Sequence, residues 1–189
     1  MRFAAIVFVT LMGNSAFVQA TDPAPPIMSE TVEFDGNVLE LASHEDAPSQ
    51  SLKEFIPAGE TLETWTKLAA IRDYKDFDDP KLVVSSLVKQ LNKQYPESPS
   101  SIIENPTTGE VIVDFVVWPP DASFVEFNVF KYSKNPTGGL VSQQYALREY
   151  KDAEGFLKGL RPVRERLVEL MTDGLRPGNQ PVEVKTNAE

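Results

Sequence analysis

Hydrophobic positions along the chain switch between a period of two and a period near 3.6 residues. From Thr31 to Leu41, apolar side chains fall at Val32 and Phe34 before Asp35-Gly36-Asn37, and at Val38, Leu39 and Leu41 after it. Asp-Gly tolerates the positive φ values of a tight turn, so this stretch predicts a β-hairpin. Ser43 to Ser51 is polar and reads as a loop, and Leu52 to Ile56 as a short strand stopped by Pro57-Ala58-Gly59. Glu60 to Tyr74 fits both periods. Thr61 can cap one helical turn through Thr64, after which Trp65, Lys67, Ala69 and Ile71 alternate with Thr66, Leu68 and Ala70. The reading taken is a turn of helix followed by a strand.

Asp79-Pro80 then opens a helix, with an N-cap side chain and a proline where the missing N–H costs nothing. Val84, Leu87, Val88, Leu91 and Tyr95 recur at helical spacing until Pro96 ends the run. Four strands are predicted next: Ser101 to Glu104, Glu110 to Trp118, Phe124 to Ser133 and Leu140 to Tyr150. Short Pro-, Gly-, Asn- and Asp-rich connections join them, which favours an antiparallel meander. A last helix is expected from about Asp152 to Asp173, with Gly174 just past its end and Pro162 kinking or dividing it.

The segments Glu110 to Trp118 and Phe124 to Tyr132 are apolar at odd and even positions alike. Antiparallel strands with one wet face should alternate cleanly, so both faces are expected to be covered. The expected fold is therefore α/β (α+β): a mainly antiparallel sheet covered by helices, with a three-layer α/β/α sandwich as one such arrangement. The domain reading is a signal peptide at 1–20, an N-terminal extension with a hairpin at 21–50, a single α/β domain at 51–174 and a flexible tail at 175–189.

Phe55-Ile56-Pro57-Ala58-Gly59-Glu60 followed by Trp65-Thr66 resembles a segment of uncharacterised exported proteins of Gram-negative bacteria. The order of elements is similar to that of PsbP-like α/β/α sandwiches. That resemblance implies an accessory or binding role and argues against catalysis, by analogy of fold alone.

Composition narrows the setting. Arg2 precedes a charge-free run, Phe3 to Met12, and Val18-Gln19-Ala20 places small residues where a signal peptidase reads them. This predicts export with cleavage after Ala20, and the apolar run is shorter than the roughly 20 residues a bilayer span needs. No stable membrane insertion is expected once it is removed. Cysteine is absent, and the Asn-x-Thr triplets at Asn105 and Asn135 carry proline in the middle, which blocks glycosylation. Both suit a bacterial envelope protein, in the periplasm first and the extracellular medium second. A formal net charge of −10 with no basic stripe argues against nucleic acid as a partner.

The inventory also removes most chemistries. His44 is the one histidine, so a His-rich metal site within one chain is impossible, and absent cysteine removes thiolate zinc and iron–sulfur clusters. No phosphate loop or nucleotide fingerprint occurs, no catalytic residue is assigned and no cofactor is expected. Asp73, Asp76, Asp78 and Asp79 form the densest carboxylate run. The first three are a calcium candidate, set against a solvated helix entrance with Asp79 as cap. On the sheet, pairing Trp118 with Phe124 and Tyr132 with Leu140 would put Asp114, Glu126, Asn128, Gln144 and Arg148 on one face. Buried polar groups among aromatics either satisfy one another or line a ligand cleft. Trp65 is read as core in preference to a surface patch. Two functions remain: a non-enzymatic protein that binds an envelope protein or a small ligand, and a carboxylate-based hydrolase or lyase using Asp114 and Glu126.

Overall fold

A computed structural model describes residues 30–178. The expected signal segment with cleavage after Ala20, the proline-rich 21–29 and residues 179–189 lie outside the described residues. The elements are β1 (Thr31–Phe34), β2 (Asn37–Ala47), β3 (Gln50–Ile56), β4 (Lys67–Tyr74), α1 (Pro80–Gln94), β5 (Ser100–Glu104), β6 (Val111–Val117), β7 (Val125–Lys134), β8 (Leu140–Glu149), α2 (Ala153–Asp173) and β9 (Arg176–Pro177).

Local chemistry accounts for most of these boundaries. Asp35 and Gly36 both adopt positive φ, 50° and 71°, as a two-residue hairpin turn between β1 and β2 requires. The Asp79 carboxylate accepts from the Lys81 amide at 2.9 Å and starts α1. Asp152 does the same for α2, accepting from Gly155 at 2.8 Å. Thr61 to Thr64 makes the expected turn, closed by Thr64 N–H on the Thr61 carbonyl, and β4 follows.

Three expectations change. The polar stretch Ser43 to Ser51 is not a loop: β2 runs on to Ala47, and Asp46 pairs with Ser51 before a tight turn. A register shift between Leu41 and Ser43 breaks the hydrophobic alternation there, and backbone pairing continues without apolar side chains. Of the two outcomes expected at Pro162, a kink or a division, the division does not occur: α2 is continuous from Ala153 to Asp173. The proline sits on the exposed side, where loss of one hydrogen bond is tolerated. Residues 176–177, read as part of a polar tail, pair with β1.

The described strands form one sheet in the order β5-β6-β7-β8-β4-β3-β2-β1-β9, antiparallel at every pairing. The hairpin of 31–47, read as an extension, thus belongs to the same sheet as the rest. Leu160, Leu167 and Met171 of α2 pack in one cluster with Ile112 and Val116 of β6 and with Val32, Phe34 and Leu39 of β1 and β2. In a flat sheet β6 and β1 would stand about 29 Å apart, six steps of about 4.8 Å. One helix, about 10–12 Å across, reaches both only if the sheet curls around it.

The expected α/β/α sandwich, and with it the PsbP-like arrangement, is therefore corrected to a curled nine-strand half-barrel with two helices. A sandwich needs an open sheet between its helical layers. Here the sheet curls around α2, which among the described helices alone fills the hollow. On the outer face α1 covers β6 and β7, burying Val84, Leu87 and Leu91 against Val111, Val113 and Phe130. Farther along that face, the cover over Leu52, Leu68 and Ala146 comes from Trp65 in the β3–β4 connection. The α1 edge leaves a gap between helix and sheet.

Candidate functional site

Register decides which polar side chains meet. β6 and β7 pair with Val117 opposite Glu126 and Asp114 opposite Val129. This is one residue away from the pairing expected from sequence, and one residue moves a side chain to the other face. β7 and β8 pair with Glu126 opposite Arg148 and Phe130 opposite Gln144. That is two residues from the expectation, and a shift of two preserves the face. Four of the five expected residues, Glu126, Asn128, Gln144 and Arg148, accordingly share the outer face. Asp114 lies on the inner one.

On the inner face, Arg164 of α2 grips Asp114 through two hydrogen bonds, Nε to Oδ1 at 2.6 Å and Nη2 to Oδ2 at 2.8 Å. The bond to Asp114 holds the Arg164 guanidinium above its ordinary pKa. Asp114 and Glu126 therefore face opposite sides of the sheet, each paired with its own arginine, and form no acid/base couple.

The outer-face set is a chain of hydrogen bonds. Gln144 Nε2 donates to Asn128 Oδ1 at 2.8 Å, and Asn128 Nδ2 donates to Glu126 Oε1 at 2.8 Å. Arg148 donates to Glu126 Oε2 from Nε at 2.8 Å and from Nη2 at 2.6 Å. Both ions are almost wholly buried, the side chains 3% and 2% exposed. The guanidinium is flanked by the rings of Trp65 at 3.8 Å and Phe124 at 4.3 Å. Trp65 is core, as expected. Burial and then the Glu126 charge raise the Tyr95 phenol at the end of α1. Most of this network is satisfied internally; its Gln144 end opens into a cleft.

That cleft, about 500 Å³, lies between α1 and the outer face, within the roughly 300–1,000 Å³ typical of small-ligand sites. Its sheet wall is built from the alternate residues of β3, β4, β7 and β8 that point outward: Leu52, Ala70, Arg72, Phe130, Tyr132 and Ser142. Its helix wall is Leu82, Val83, Ser86 and Leu87. Phe115, Phe130, Tyr132, Tyr74 and Phe77 form a ladder of rings with successive centroids 5.8–6.4 Å apart, and four of them line the cleft. Phe77 and Leu82 stand at its rim, both more than half exposed.

One cross-strand row brings Arg72 beside Ser142 and Ser142 beside Tyr132. Burial, followed by the Tyr74 hydroxyl, pushes the Tyr132 phenol well above its ordinary value. Arg72 is 9% exposed and donates to Gln50 Oε1 at 3.2 Å, with its charge 5.9 Å from the Tyr74 ring. No carboxylate of the described residues lies within 4 Å of it. Glu54, one row away, is raised by burial, and the Arg72 charge acts against that rise.

Residues 27–173 match an uncharacterised protein family. The chain belongs to that family. No curated protein and no solved structure matches it.

The calcium candidates are not assembled. Asp73 is tied to Ser51 at 3.3 Å and Asn135 at 3.0 Å, while Asp76 and Asp78 are exposed. Among the described residues no three His, Asp or Glu side chains converge as a metal site. His44 is exposed on β2.

Sequence reasoning missed Arg72, Tyr132 and Ser142 as site residues. Their signal was present but local: Leu68, Ala70, Arg72 and Tyr74 occupy one face of an alternating strand, and an arginine there points where its neighbours are apolar. What made it a site is the pairing of β4 with β8, a contact across nearly 70 residues that no spacing reveals.

Proposed function

We propose that the protein is a non-enzymatic binding protein of the bacterial envelope, exported by its N-terminal signal, that holds a small ligand in the cleft between α1 and the sheet. The observation that carries this reading is the cleft itself, a preformed cavity walled by stacked aromatic rings with a few buried polar groups at its floor. The candidate carboxylates support no hydrolytic mechanism, because each is held by an arginine on its own side of the sheet.

Ligand occupancy is tested with an environment-sensitive apolar dye whose fluorescence rises on burial. Saturable one-to-one binding to the wild type, lost in Ser86→Trp, supports the reading. Ser86 is exposed on α1 and lines the cleft, so a tryptophan there fills the cavity without disturbing the core. Dye binding indifferent to that change places no ligand in the cleft and refutes it. Export is tested separately with a C-terminally tagged chain: a periplasmic or secreted species beginning at Thr21 is expected, and a full-length cytoplasmic product would overturn that half.

A further inference from the structure

We infer that the cleft takes a small monocarboxylate with an apolar body, its charged end seated on Arg72. This rests on the cleft being a ligand site and adds the class of ligand.

The argument starts from how this fold treats its other buried charges. Glu126 and Arg148 meet through two short hydrogen bonds, and Asp114 meets Arg164 through two more. Burying a charge is expensive unless an opposite charge and hydrogen bonds compensate it. Arg72 is nine-tenths buried, yet its hydrogen-bond partner is the neutral amide of Gln50. A guanidinium carries five N–H donors in a planar fork. Among the described residues no fully buried side-chain nitrogen or oxygen lacks a partner. The unused Arg72 donors are therefore those that reach the open space of the cleft, which Arg72 lines.

The neighbours select the head group. Ser142 and Tyr132 follow Arg72 across the sheet and are hydroxyls. A planar carboxylate matches the guanidinium fork and accepts from hydroxyls. One cation balances one negative charge, and among the described residues no second Lys or Arg lines the cleft to meet a dianion. The Arg72 charge acts on the Glu54 carboxyl, yet among the described residues the two form no ion pair within 4 Å. Beyond the head, Ala70, Phe130, Leu82 and Leu87 offer only apolar contact, which suits an alkyl or aryl body. The chain as a whole carries −10 and attracts cations. Preference for an anion must then come from the cleft.

The test is calorimetric titration of the full chain with decanoate, 1-decanol and decylamine, which share a tail and differ in head charge. Decanoate is expected to bind the wild type roughly ten- to a hundredfold more tightly than decanol, the range of a charge-assisted hydrogen bond, with decylamine weakest. Arg72→Met should bring decanoate and decanol together, and Ser86→Trp should abolish both. The wild-type comparison of head groups stands even if Arg72→Met fails to fold. Binding of none of the three overturns the cleft reading and this inference together. Equal binding of decanoate and decanol, both lost in Ser86→Trp, leaves the cleft a ligand site and overturns the carboxylate. A preference for decanoate that survives Arg72→Met also overturns it.

Discussion

Glu126 and Arg148 show what a buried ion pair does when both partners come from neighbouring strands. Their positions directly opposite one another give the bidentate contact, and Trp65 and Phe124 close over it. Removing one partner strands the other charge in an aromatic box. Glu126→Ala should destabilise the protein by about 3–5 kcal/mol, whereas Glu126→Leu combined with Arg148→Met should come close to the wild type or exceed it. Urea unfolding of Glu126→Ala, of Glu126→Leu and Arg148→Met singly, and of the double variant measures both. A double whose loss equals the sum of its two singles would show that the pair is not coupled. Glu54 behaves differently. Burial raises its pKa, Arg72 opposes the rise and Glu45 adds to it. A carboxyl with a raised folded pKa contributes stability below its unfolded value, and loses it as pH rises through the folded value. Wild type and Glu54→Gln should therefore match near pH 4, with the variant the more stable at pH 7. The opposite ordering at pH 7 would mean that Arg72 outweighs burial.

At the scale of elements, α1 is set by the residue that precedes it. Asp79 accepts the Lys81 amide, and its side chain is the cap, so Asp79→Ala should lower stability by about 0.5–2 kcal/mol. Asp78 makes no such bond and acts through the helix dipole alone, so Asp78→Ala should cost about 0.3–1 kcal/mol or less, shrinking with added salt. Thermal melts at low and high salt separate them; equal losses would remove the cap. Elements of this kind were legible because their information is local: Asp-Pro before a 3.6-residue repeat, or Asp-Gly between alternating runs. Four polar residues of the outer face were also found together, since a two-residue error in the β7–β8 register leaves parity intact. Asp114 was misplaced because a one-residue error in β6–β7 reverses it. The β2–β3 hairpin was hidden for a related reason, its register shift falling where the polar stretch begins.

The curl belongs to the whole molecule, and no local pattern in the sequence encodes it. Two amphipathic helices and a sheet apolar on both faces satisfy a flat sandwich as well as a half-barrel; the choice depends on β4 pairing with β8 and on α2 touching strands from both halves. This sharing makes the two halves of the sheet interdependent. Leu167 is fully buried at that junction, in the cluster that includes both β1 and β6 side chains. Leu167→Ala should destabilise the protein by about 2–5 kcal/mol. With Trp118, partly exposed, replaced by phenylalanine, fluorescence reports on Trp65 alone, which sits on the opposite face from α2. If the curled sheet and its helix unfold as one unit, Trp65 fluorescence and far-ultraviolet circular dichroism should trace the same urea transition. Both should then move by the same amount in Leu167→Ala. Two separated transitions, with Trp65 insensitive to Leu167, would show that the outer-face packing stands without α2. The half-barrel would then be two cooperative units joined at β4 and β8.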